Sequence, residues 1–170
     1  MHILQDGDAV LREKSQPVPK STFGKPSLTH EIQQMIDALE TEPDGVAIAA
    51  PQIGILKRIF VVRYDRMLPP PREGDAPHPV DVGIFINPEL VRTSRRKSEF
   101  DEGCLSVRGW YGTTIRHERA TVKAYDEQGK AFERGGGGIL AQAFQHEIDH
   151  LNGILFIDHA HNKREVPSHE

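Results

Sequence analysis

His146 and His150 stand four residues apart, with Glu147 directly after the first, in the run QHEIDHLNG. On a helix, residues four apart leave the same face about one turn apart, so the two imidazoles can hold one metal ion. A carboxylate beside the first histidine reaches the open side of such an ion, where it can accept a proton from water. Catalytic sites of this kind keep three protein ligands and one open position, and the third ligand has several candidates. The extended pattern HExxHxxGxxH is excluded, because its last position holds Phe156. A downstream carboxylate such as Glu165 would suit a thermolysin-like peptidase, although it lies in a polar tail that is expected to be frayed. Upstream, Cys104 lies 42 residues before His146 in the run EGCLS, beside Gly103. As the one cysteine of the chain it can be a ligand, a nucleophile or a packing group. A cysteine nucleophile with His146 as its base would leave Glu147 and His150 without a role and would survive chelation.

These groups need a helix and a frame to hold them. ILAQAFQHEIDHLNG carries Leu140, Ala143, Phe144, Ile148 and Leu151 at helical spacing, with Gly153 suited to the C-terminal cap. An earlier helix is expected to start at a Thr29 cap, to align Ile32, Met35, Ile36 and Leu39, and to end at Pro43 and Gly45. KRIFVVR at 57–63 and GIFINPEL at 83–90 read as strands on either side of a proline-rich loop. ATVKAYDEQGKAFER at 120–134 reads as a hairpin about Gly129, after which Gly135 to Gly138 are expected to break the chain. GVAIAAPQIG at 45–54 reads as a buried strand that turns at Pro51. Strands grouped before a final helix predict an α+β fold, mostly antiparallel sheets packed around the C-terminal helix, in a single domain spanning 1–170.

The 170 residues carry 21 Lys and Arg against 25 Asp and Glu, a net charge of −4, so no global positive field recruits nucleic acid or anionic lipid. The basic run RTSRRK at 92–97 reads as a solvated loop or strand edge. Asp6 and Asp8 fall where a signal peptide needs an apolar stretch, and nothing approaches the roughly 18 apolar residues of a membrane span. A cytoplasmic, membrane-free protein without an internal disulfide is therefore expected. His2, His30, His78, His117 and His169 have no partner at ligand spacing and read as solvated, as do His159 and His161. Asp149 lies between the two candidate ligands, where solvent, a cap contact or a hydrogen bond behind the histidines are all open to it.

Taken together, GVAIAAPQ at 45–52, EGCLS at 102–106 and QHEIDHLNG at 145–153 resemble the three ordered motifs of the peptide deformylases, and the likeness extends to INPEL and ILFID. The resemblance implies an enzyme that removes the formyl group from N-terminal formylmethionine of nascent chains, releasing formate, and works in transient proximity to the ribosome. It implies one divalent metal ion, ferrous iron in cells and replaceable by nickel, cobalt or zinc. Cys104, His146 and His150 then become the metal ligands and Glu147 the general base and later acid. Gln52 and the backbone N–H of Leu105 become the donors to the oxyanion. By the same likeness, Val46, Phe100, Ile139 and Ala143 line the methionine pocket, and Val46 and Gly103 hold the peptide as an added strand. Three departures from the family pattern stand out. Ala47 replaces a usual glycine and Ile48 a usual leucine, and the first change is costly if the backbone there needs φ > 0 and narrows the entrance if substrate passes close. Arg108 replaces a usual proline, and Tyr111 stands where many relatives carry an arginine that meets the peptide tail. The longer C-terminal helix of many bacterial members has no counterpart after Asp158. A zincin-like peptidase and a degenerate paralogue with altered substrate are the alternatives.

Overall fold

Strand β2 (Ile59–Arg63) is buried along its length, and its two-residue alternation sorts the core into two halves. Ile59 and Val61 face one way and pack with Leu28, Ile32, Met35 and Leu39 of helix α1 (Pro26–Glu40). Phe60 and Val62 face the other way and pack with Ala141, Phe144 and Leu151 of helix α2 (Gly138–Leu151). The computed structural model describes residues 2–166; His169 and the end of the polar tail lie outside the described residues.

The remaining strands, numbered in chain order, are β1 (Ala47–Ala49), β3 (Val82–Thr93), β4 (Lys97–Gly103), β5 (Trp110–His117), β6 (Arg119–Tyr125), β7 (Ala131–Gly137) and β8 (His161–Glu165). One antiparallel sheet has the order β1-β2-β3-β6-β7 and a second the order β4-β5-β8. Helix α2 crosses the first sheet and also touches β5 of the second, so the fold is α+β with antiparallel sheets around the C-terminal helix. An aromatic stack fixes its seat: the Phe144 ring lies 5.2 Å from that of Phe85 and 6.1 Å from that of Phe60. Strands β1 and β7 end the first sheet and β4 and β8 the second, each paired on one side only.

Three expectations about local structure are corrected. Helix α1 begins at Pro26 rather than after Thr29, because proline at the first position comes with a helical φ and has no N–H to satisfy. Gly135, Gly136 and Gly137 do not break the chain but complete β7 opposite Thr121, Ala120 and Arg119. A side chain at Gly136 would meet Leu140 Cδ2 at 2.5 Å, so the bare backbone is what lets β7 run beneath the start of α2. Only Gly138, at φ +56°, turns the chain. The tail is not wholly frayed either, since residues 161–165 pair with β5 as β8.

Candidate active site

Helix α2 sets His146 and His150 one turn apart, and the turn after β4 brings Cys104 against them. His150 Nε2 lies 3.1 Å from His146 Nε2 and 3.2 Å from Cys104 Sγ, and the three donor atoms all fall within 4.8 Å of one another. A shared proton can satisfy one such contact, whereas a cation satisfies all three at once. The orientation agrees: His146 Nδ1 lies 2.5 Å from Glu102 Oε1, and an ionised carboxylate only accepts, so Nδ1 carries a proton and Nε2 is the nitrogen left to face a cation. One thiolate and two imidazoles fit a divalent cation with a fourth position to spare.

Glu102, which sequence reasoning left without a role, anchors this arrangement. It is 4% exposed and accepts from Thr114 Oγ1 at 2.5 Å, from Arg116 Nε at 3.1 Å and Nη2 at 2.7 Å, and from His146. Burial opposes its ionisation, but the hydrogen bonds from His146 and Arg116 prevail and hold the carboxyl well below the usual range. Arg116 spends its other Nη on Asp149 Oδ2 at 2.6 Å, so Asp149 belongs behind the histidines rather than in solvent. The parity of β5 turns Thr114 and Arg116 inward, where an arginine needs a buried partner, but only the pairing of β4 with β5 makes that partner Glu102.

Glu147 is 3% exposed, and its Oε2 has no hydrogen-bond partner among the described residues. Burial pushes its carboxyl up to about 7, against the pull of His146. A base in that range exchanges protons well at neutral pH. Gln52 is 1% exposed and its amide is fixed at both ends: Oε1 accepts from the Ala49 N–H at 2.8 Å, and Nε2 donates to Ser106 Oγ at 3.1 Å while lying 3.7 Å from Cys104 Sγ. Among the described residues the Leu105 N–H has no acceptor.

A cavity of about 670 Å³ opens between the free edges of β1 and β4. Cys104, His146, Glu147, Gln52 and Leu105 reach it, as do Val46, Ala47, Gly103, Tyr111, Ile139 and Ala143. Phe100 does not: β4 reaches the cavity from Asp101 onward, and Phe100, half-buried, lies one residue short of it. Ala47 has ordinary strand geometry, so its substitution carries no left-handed backbone cost, and its methyl packs in the core at the cavity wall. Arg108 Nη2 donates to Glu42 Oε1 at 2.6 Å at the cavity rim. His117 is half-buried, its Nδ1 2.6 Å from the Ser94 carbonyl, rather than solvated.

An HExxH helix between antiparallel sheets, with a thiol converging on its two histidines, defines the class: a mononuclear metallohydrolase site. The polypeptide deformylase family profile matches residues 1–166. The peptide deformylase of Halothermothrix orenii is 42% identical over 158 residues, covering 93% of this chain and 92% of its own. A Synechococcus elongatus peptide deformylase solved with actinonin superposes with a TM-score of 0.81 at 33% identity, over 95% of this chain and 81% of that one. An Acinetobacter baumannii peptide deformylase bound to Met-Ala-Ser gives 0.79 at 34%, over 93% and 97%. The chain belongs to the polypeptide deformylase family and is an enzyme of that family.

Proposed function

We propose that this chain, acting as one catalytic domain, hydrolyses the formyl amide at the N-terminal formylmethionine of newly made chains. The carrying observation is the convergence of Cys104 Sγ, His146 Nε2 and His150 Nε2 beside a buried, unpartnered Glu147 oxygen. Cys104, His146 and His150 would hold a divalent cation, which when bound supplies Lewis acidity and a nucleophile at neutral pH. The donor set suits Fe²⁺, the ion the resemblance implies for cells, as well as Ni²⁺, Co²⁺ and Zn²⁺.

Glu147 takes the proton of the attacking water as its oxygen bonds to the formyl carbon. Gln52 Nε2 and the Leu105 N–H donate to the carbonyl oxygen as it gains charge. Glu147 then passes its proton to the amine nitrogen as the C–N bond breaks, leaving formate and a free N-terminus. The open edges of β1 and β4 offer backbone groups of Val46 and Gly103 to an extended peptide, which tolerates varied residues after the first. Ile139 and Ala143 supply apolar wall beside His146 for a methionine side chain. Among the described residues no helix is long and apolar enough to cross a membrane. On this proposal the enzyme works in the cytoplasm, near the ribosome that supplies its substrate.

The test is formate release from formyl-Met-Ala-Ser by protein loaded anaerobically with Fe²⁺ or Ni²⁺. Release abolished in both Glu147→Ala and Cys104→Ala supports the assignment. Internal peptide cleavage, or activity that survives Cys104→Ala, overturns it.

A further inference from the structure

The N-terminal segment has no part in the reaction as derived, yet it runs between the two stretches that carry the oxyanion donors. The Leu4 N–H donates to the Gln52 carbonyl at 2.8 Å, and the Asp6 N–H donates to the Ser106 carbonyl at 2.7 Å. Between these clamps, Gln5 Nε2 donates to the Leu105 carbonyl at 2.9 Å and to the Ile3 carbonyl at 3.2 Å. Its Oε1 accepts from the Arg108 N–H at 3.5 Å. Ser106 closes the circuit by accepting from Gln52 Nε2 at 3.1 Å. A ring of hydrogen bonds therefore passes from Gln52 through Leu4, Gln5, Leu105 and Ser106 back to Gln52.

We propose that Gln5 is a positioning residue of the deformylase reaction, which sets the Leu105 N–H against Gln52 Nε2. The inference rests on the reading of those two groups as oxyanion donors. Gln5 does not line the cavity and touches none of the metal ligands, so it acts only through the chain segments it ties together. The mechanism is geometric. Leu105 sits in a tight turn, in which the Val107 N–H donates to the Cys104 carbonyl at 3.0 Å and the Ser106 N–H lies 3.4 Å from Cys104 Sγ. The Leu105 N–H shares its peptide plane with the Cys104 carbonyl, which the Val107 N–H holds, and Gln5 holds the following plane through the Leu105 carbonyl, so a swing of that N–H is resisted from both sides of the residue. Donors must sit about 2.7–3.1 Å from the oxygen as it charges, so a swing of a few tenths of an ångström weakens the transition state more than the bound substrate.

The experiment pairs Gln5→Met, which keeps the length and removes both polar atoms, with Gln5→Glu, which still accepts from Arg108 but cannot donate to Leu105. Both are expected to lower kcat about 10-fold or more, within the roughly 10²- to 10³-fold that loss of a whole donor causes. KM for formyl-Met-Ala-Ser, metal stoichiometry and the affinity for the product Met-Ala-Ser stay within twofold of the wild type. The inference is overturned if kcat of Gln5→Met stays within twofold of the wild type, or if Gln5→Glu alone keeps full activity. It is equally overturned if kcat falls only in step with bound metal and Tm, the mark of a merely structural contact. Gln52→Ala separates the layers: if that variant turns over normally, the oxyanion reading itself has failed, whereas a slow Gln52→Ala beside a normal Gln5→Met condemns the role of Gln5 alone.

Discussion

Replacing Glu102 by Gln removes one charge and one pair of acceptor sites while keeping the shape, and the surroundings cannot absorb the change. The four donors that converge on the carboxylate are Thr114 Oγ1, Arg116 Nε, Arg116 Nη2 and His146 Nδ1. An amide offers one oxygen, so its NH₂ must face either the Arg116 Nη2 and His146 side or the Thr114 and Arg116 Nε side. Thr114 can turn its hydroxyl to accept, but the guanidinium cannot. If the NH₂ faces His146, the imidazole must move its proton to Nε2 and so lose the lone pair aimed at the cation. Losing one partner of a buried ion pair costs about 3–5 kcal/mol, and Asp149 still holds Arg116 at 2.6 Å, which places this case near 3 kcal/mol. Loss of the carboxylate behind a ligating histidine lowers metal affinity about 10- to 100-fold. Denaturant unfolding of the metal-free protein reads the first quantity, and competition with a chelator reads the second. A Glu102→Gln protein with wild-type stability and metal affinity within twofold would refute the account of how His146 is held.

Gln52→Ala is expected to keep its metal and its fold while kcat falls roughly 10²- to 10³-fold, read as formate release at saturating substrate. At Gly153, φ is +75° and an added Cβ would overlap the Arg12 carbonyl, so Gly153→Ala is expected to cost well over 1 kcal/mol in urea melts. Asp65 accepts from Arg63 at 2.9 and 2.7 Å and from the Asp81 N–H at 3.0 Å, and these bonds hold its carboxyl well below the usual range. Its stabilising effect is therefore complete above the unfolded value of about 3.9 and fades as pH falls through the depressed folded value. Asp65→Asn is expected to lower Tm at pH 7 and to converge with the wild type as the solution is acidified below about pH 4, as thermal melts across pH would show.

The helical turn that pairs His146 with His150 was legible because its signal is local. HEIDH needs only a helix to converge, and α2 is continuous through it. The hairpin about Gly129 and the β2 and β3 runs were legible for the same reason, since alternation and turn residues sit side by side in the chain. What sequence could not show are meetings between distant segments. Glu102 and Arg116 are ordinary charged residues until β4 and β5 pair and α2 lies over them. The path of β7 through three glycines depends on how near Leu140 comes, which no local propensity records. Phe100 was placed in the pocket by likeness, whereas β4 meets the cavity only from Asp101 onward.

The first sixteen residues carry a consequence for how the molecule comes into being. Leu4 bonds to Gln52, Asp6 to Ser106, Ser15 to Leu151, and Arg12 pairs with Asp158 at 2.6 Å. Two of these contacts join residues more than a hundred positions apart, so the segment completes its docking only after residues 151–158 have been made. Closure across so long a stretch of chain belongs among the slow steps of folding. The edges of β1 and β4 are open to any other strand as well, and a chain still waiting for this closure is one whose bare edges invite aggregation.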